Sequence, residues 1–205
     1  MEIRENYLQA LMEFDRDQCI QILKSGLDEK RISLDDALDL VASALSLTVN
    51  CSIEEIWKEH AKTQIVRSSL EILSLYTLKE VPETNNKQIA VVCPNGEYHE
   101  LGARLVSEVI RREGYKPLFF GNSMPNAEII NLIKEADLEG IAFSISNFYS
   151  MRSFNILLKE INEITDIPIF IGGTAINHNP DQLHAKNLYI VKTLDELKES
   201  LKVIK

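Results

Sequence analysis

"QIAVVCPNGEYHELGARL" (Gln88–Leu105) passes from a short apolar run into a polar loop, then into a stretch with helical spacing. Strand, loop and helix in that order open a βα unit. Many α/β proteins place a glycine-rich phosphate loop at this junction. The dinucleotide fingerprint needs GxGxxG, and this loop lacks it. It carries Glu97, His99 and Gly102 instead. In an extended loop residues i and i+2 point the same way, so Glu97 is placed to meet one imidazole nitrogen of His99. The other nitrogen is then offered to a metal, with tautomer and ring orientation set by the carboxylate. Gly102 lets a neighbour pack close to the helix. A single histidine cannot build a zinc site, so most ligands of any metal must come from elsewhere. A macrocycle supplies them and needs one axial ligand from the protein. The plain alternative is a helix-start histidine on a partly exposed loop.

Downstream, short apolar runs alternate with helical stretches: "KPLFFG", "AEIINLIKEA", "GIAFSIS", "SFNILLKEINEI", "IPIFIGG", "LYIVK" and "LDELKESLKVI". With the opening unit this makes βα five times. Continuous apolar strands separated by helices predict a flavodoxin/Rossmann-like five-stranded parallel sheet covered on both faces, over residues 87–205. Upstream, residues 1–80 read as four amphipathic helices with no strand signal, an N-terminal four-helix bundle. One helix ends before Asp15, and the next runs from there to a stop near Gly26. A third begins at Ser33 with an acidic first turn, and a fourth at Ser52 with Glu55 at capping-box spacing. "EVPETNNKQ" between the halves is a linker.

The composition is that of an ordinary globular chain, 45% hydrophobic and 26% charged, with a net charge of −9. That balance excludes a direct nucleic-acid surface, which needs clustered Lys and Arg. No apolar run reaches membrane-spanning length, and the acidic amphipathic N-terminus is no signal peptide. Cys19, Cys51 and Cys93 are odd in number and widely spaced, so neither a disulfide framework nor a cysteine zinc site is indicated. A cytoplasmic protein with reduced thiols follows as the expectation.

Parallel sheets bind ligands beyond the carboxyl ends of their strands. The third strand ends in "FSISNFYS", where Ser144, Ser146 and Ser150 offer small hydroxyls around a cavity, or are simply loop chemistry. The fourth ends in Gly172-Gly173, a place for close backbone approach or a plain sharp turn. His178 and His184, further on, read as surface residues.

Together these residues resemble the cobalamin-binding fold of methionine synthase, corrinoid methyltransferase carrier proteins and cobalamin-dependent light-sensing repressors. That family shows DxHxxG after strand one, SxL or SxT after strand three and GG after strand four. Here stand Glu97-Tyr98-His99-Glu100-Leu101-Gly102, Ser144-Ile145-Ser146 and Gly172-Gly173. A four-helix cap precedes the sheet in these families too. The resemblance implies adenosyl- or methylcobalamin held between cap and sheet. Its dimethylbenzimidazole tail leaves cobalt for a slot between strands, and His99 becomes the lower axial ligand. Glu97 holds the distal nitrogen and relays proton changes, and Ser150 continues the relay. Gly102, Ser144, Ser146, Gly172 and Gly173 line the tail's side of the site.

In the light-sensing branch a Trp and a later Glu-His pair cover the upper face. Glu59 and His60 match that pair, whereas Val49 stands at the Trp position. Trp57 lies two residues before Glu59, roughly 200° around a helix, and is expected to pack inside the bundle. No substrate barrel or helix-turn-helix accompanies the cap and cofactor module. The first expectation is therefore a regulatory corrinoid sensor acting through a protein partner. The alternative is a methyl carrier serving separate methyltransferases. An oligomer is compatible with both.

Overall fold

The computed structural model describes residues 2–48, 56–80, 86–178, 183 and 185–204, without the side chains of Ser150, Asn177 and His178. The chain divides into two compact units, Met1–Glu80 and Val81–Lys205.

The first unit is helical: α1 (Glu2–Met12), α2 (Arg16–Asp28), α3 (Leu34–Ser46) and α4 (Ile56–Thr77). The starts of two helices are set by side-chain caps. Asp15 accepts a hydrogen bond from Gln18 N at 2.9 Å. Ser33 and Asp36 form a reciprocal capping box, each side chain accepting from the other's backbone N–H at 3.0 Å. α2 runs two residues beyond Gly26, because that glycine faces inward. A Cβ there would stand 3.2 Å from the Ile32 side chain, so the small residue admits a close neighbour rather than ending the helix. Tyr7, Leu11, Leu23, Leu38, Leu70 and Leu73 are buried. The Tyr7 hydroxyl pairs with Ser69 Oγ at 2.7 Å, tying α1 to α4.

Trp57 does not pack inside the bundle. It is 61% exposed and meets the Phe14 ring with centroids 5.3 Å apart. The buried face of α4 runs through Lys62, Ile65, Val66, Ser69, Leu70 and Leu73. Trp57, nine residues before Val66, falls on the opposite side of the helix at about 100° per residue. The expected Ser52–Glu55 cap and Val49 lie outside the described residues.

The second unit is the five-stranded sheet, with β1 (Gln88–Val92), β2 (Lys116–Phe119), β3 (Leu138–Ser144), β4 (Ile169–Gly172) and β5 (Leu188–Ile190). All pairings are parallel and the spatial order is β2-β1-β3-β4-β5. The intervening helices are α5 (Leu101–Arg112), α6 (Asn126–Glu135), α7 (Met151–Ile164), α8 (Thr174–His178) and α9 (Leu194–Leu201). β1, β3 and β4 are mostly apolar because both of their faces are covered. Ala90, Val92, Ile141, Phe143, Ile169 and Ile171 share a buried cluster with residues of α6 and α7. Phe143 meets Phe154 of α7 edge-on at 4.9 Å. On the alternate positions, Ile89, Val91 and Phe170 are also buried; period two sends them to the other face. There α5 contacts the sheet and α9. Among the described residues the only proline within a strand, Pro117, sits on edge strand β2, where a missing N–H is tolerated.

In this order the chain runs outward from β1 to β2 on one side and returns to β3 on the other. The crevice beyond the ends of β1 and β3 is thus the topological switch point, where doubly wound folds bind ligands.

Candidate functional site

The β1–α5 loop is fixed before it reaches its functional residues. Cys93 N donates to Gly121 O at 3.4 Å and Met124 N to Cys93 O at 3.0 Å, so the chain leaves β1 still tied to the segment after β2. Gly96, at φ 84°, turns the loop. Its N–H is accepted by Ser123 Oγ at 3.1 Å, and Ser123 N donates to Glu97 O at 2.8 Å. Ser123 itself takes a left-handed conformation, φ 49°. Nothing in the "GNS" turn after β2 marked it as a site residue.

Glu97 is the centre of the arrangement, with a side chain 0% exposed. One carboxylate oxygen, Oε1, accepts from His99 N at 2.8 Å and meets His99 Nδ1 at 2.7 Å. The other, Oε2, accepts from Ser146 N at 2.6 Å and Asn147 N at 2.7 Å, across the switch point at the end of β3. Burial pushes the Glu97 carboxyl upward. The His99 ring and the three backbone N–H donors outweigh burial and hold it below the usual carboxylate range. An ionised Glu97 fixes the proton of a neutral His99 on Nδ1 and makes Nε2 the ring's basic nitrogen. The His99 side chain is 65% exposed. A buried, charged orienter and an exposed imidazole are what a single axial ligand requires.

The other predicted motif residues converge on the same strand ends. Ser144 is buried and pairs in register with Gly172. A Cβ on Gly102 would stand 3.1 Å from Ser144 Oγ, so the glycine in α5 is the space that the serine occupies. Gly172 and Gly173 have separate reasons. A Cβ on Gly172 would reach 3.0 Å from Val191 O, beyond β5. Gly173 has φ +118°, and a Cβ there would come within 2.2 Å of Ile145 O. The pair lets three segment ends, after β3, β4 and β5, close on one another. Ile145 N donates to Gly172 O at 2.9 Å and Ala175 N to Ile145 O at 3.2 Å. Thr174 Oγ1 donates to Ser146 O at 3.3 Å.

Asn147 carries a role that its residue type did not announce. Beyond its N–H, its Oδ1 accepts from Tyr149 N at 3.0 Å and starts the short turn Phe148–Ser150. The side chain of Ser150 lies outside the described residues, as do His184 and the side chain of His178. Glu59 and His60 lie in the first turn of α4, in the helical unit, the glutamate half-buried and the histidine exposed.

Cys93, at the end of β1, is fully buried, and its thiol is pushed up to about 12 by burial and by the Glu97 and Glu100 charges. It stays protonated at neutral pH and offers no thiolate ligand. Among the described residues no group of three or more His, Cys, Asp or Glu is placed to hold a metal ion. The donor set fits a metal that arrives with its equatorial ligands already in place and takes one imidazole from the protein.

The doubly wound parallel sheet thus carries a carboxylate-held imidazole, not a glycine-rich phosphate loop, at its switch point. This chain belongs to the B12-binding domain family, whose model matches residues 87–198. It is 24% identical over 179 residues to the methanol–corrinoid protein of Methanosarcina barkeri, covering 83% of this chain and 67% of the relative. Among solved structures, the Methanosarcina barkeri monomethylamine corrinoid protein superposes with a TM-score of 0.78 at 16% identity, covering 98% of both chains. A cobalamin-binding protein from Desulfitobacterium hafniense superposes with a TM-score of 0.51 at 15% identity, covering 99% of this chain and 98% of that one. Four helices followed by the five-stranded parallel sheet are thus the architecture of the monomethylamine corrinoid protein. Among the described residues no helix is long and apolar enough to cross a membrane.

Proposed function

We propose that this chain is a corrinoid carrier: it binds cobalamin with His99 as lower axial ligand and presents it to separate methyltransferases. The match to the methanol–corrinoid protein carries the choice of carrier over sensor. It covers 83% of the chain, more than the second unit alone contains, so it extends into the helical unit. The regulatory sensor expected first from the sequence gives way to the alternative for that reason.

When bound, the corrinoid supplies the methyl-transfer chemistry, its cobalt accepting and releasing the methyl group. The protein's part is positional. His99 presents Nε2 to the cobalt, and Glu97 keeps the proton on Nδ1. Gly102, Ser144, Gly172 and Gly173 are proposed to line the slot for the nucleotide tail, Ser146 and Ser150 to border it, and Glu59 and His60 to contact the cofactor. The site residues and the methylated form of the cofactor belong to this proposal.

The purified protein, mixed with methylcobalamin or adenosylcobalamin, is expected to turn red and keep its colour through gel filtration. Light and dark samples of the adenosylcobalamin form are expected to elute at the same volume. A light-dependent change in oligomeric state would favour the sensor instead. Loss of all colour on the column would remove both readings.

A further inference from the structure

We infer that the groove along the outer face of α7 is a docking site for an acidic, apolar segment of a partner protein. The groove has a volume of about 660 Å³, and its lining includes Phe148, Tyr149, Arg152, Asn155, Ile156 and Lys159. Arg152, Asn155, Ile156 and Lys159 stand at i, i+3, i+4 and i+7, so they form one stripe, while Phe154, Leu157, Leu158 and Ile161 take the opposite face into the core. At the head of the stripe is the turn Phe148–Ser150, which follows β3 at the carboxyl end of the sheet. Phe148 is 54%, Tyr149 92% and Ile156 55% exposed. Single apolar side chains in water are ordinary; three around one groove, rimmed by charge, mark an interaction surface. Tyr and Arg are also the residue types that carry much of the binding energy at protein interfaces.

Charge selects the occupant. The chain holds 31 Asp and Glu against 22 Lys and Arg, a net charge of −9. The charged lining of the groove is nonetheless Arg152 and Lys159, with no carboxylate. Glu160 and Glu163 follow on α7, outside the lining. Neither cation has a hydrogen-bond or ion-pair partner among the described residues. An acidic partner is repelled by the chain as a whole and attracted here, which fixes where it sits as well as what it is. Under the carrier reading that partner is the methyltransferase that meets the corrinoid, because the head of the groove lies at the same end of the sheet as the imidazole. That identification rests on the carrier reading; the docking site does not.

A synthetic amphipathic helix built from Leu, Phe and Glu serves as the probe, with a copy carrying Lys for Glu as its control. Titrated into the cobalamin-free full chain and followed by NMR, the acidic peptide is expected to shift the backbone amides of Tyr149, Arg152, Ile156 and Lys159. The Lys copy is expected to leave them in place. The double variant Arg152→Glu/Lys159→Glu is expected to weaken binding about tenfold, and Tyr149→Ala by a similar factor. Lys116→Glu, the same kind of charge change on edge strand β2, is expected to stay within about twofold of wild type. All of these side chains are exposed, so the fold is not threatened. Shifts confined to other surfaces, equal binding by the Lys copy, or equal affinities for wild type and the double variant would overturn the inference. So would a concentration-dependent dimer, read by sedimentation, that the double variant abolishes, since the groove would then belong to a second copy of the chain. Loading with hydroxocobalamin is a separate arm: a wild type that holds no pigment counts against the carrier reading and leaves the peptide result standing.

Discussion

Gly173→Ala is expected to lose about 3 kcal/mol or more of stability, a fall of roughly 10 °C in the melting temperature of the cobalamin-free protein. Two costs add. The backbone at φ +118° lies where side chains are strained whatever the space available, and the new Cβ would fall 2.2 Å from Ile145 O, 2.6 Å from its carbonyl carbon and 2.8 Å from its nitrogen. These are backbone atoms, so no rotamer change relieves the contact. Ile145 must move, and with it the hydrogen bonds from Ile145 N to Gly172 O and from Ala175 N to Ile145 O. Because Ile145 lies between Ser144 and Ser146, the disturbance passes into the site itself. Gly172→Ala is expected to be milder, with a single contact at 3.0 Å to Val191 O and no left-handed φ. Equal melting temperatures for Gly173→Ala and wild type, read by thermal unfolding, would contradict the packing described.

The second large effect is that of Glu97→Ala, expected to cost about 3 kcal/mol. Truncation leaves the N–H groups of His99, Ser146 and Asn147 without their acceptor, and a buried donor left unsatisfied costs about 1–3 kcal/mol. Water entering the cavity recovers part of that cost, and part is offset because a buried carboxylate no longer has to be desolvated. The same variant frees the His99 ring to choose its tautomer, so its pigment-bound spectrum is expected to be heterogeneous where wild type gives one species. Chemical denaturation and visible absorption read the two consequences separately. A variant with wild-type stability would show that Glu97 is not the acceptor for the three backbone donors.

Much of this site could be read before any fold was known, and the parts that could not share a cause. Glu97 and His99 are two residues apart in one loop, so their contact is local and follows from spacing. The central strands announced themselves because parallel strands buried on both faces are mostly apolar, and the partly exposed edge strands β2 and β5 as short apolar runs between helices. What spacing cannot show is that β1 and β3 lie side by side, or that Ser146 and Asn147 turn their N–H groups toward Glu97. Backbone donors have no residue signature. The glycine pair was visible as residues, but its reason was not: Val191 and Ile145 belong to segments distant in sequence. Trp57 misled because the apolar pattern at the start of α4 does not distinguish the face toward Phe14 from the face toward the core. Gly26 misled because a glycine near a helix end usually marks a stop, and here it admits Ile32.

Whether His99 is the cobalt's lower ligand is read by electron paramagnetic resonance. Cobalamin-loaded protein, reduced to its paramagnetic cobalt state, displays splitting from the nucleus of the axial nitrogen. Protein grown with histidine labelled by the heavy nitrogen isotope is expected to show doublets where unlabelled protein shows triplets, and His99→Ala is expected to lose the effect. Triplets that persist in the labelled protein would mean that the cofactor's own dimethylbenzimidazole remains on the metal, and His99 would not be the ligand.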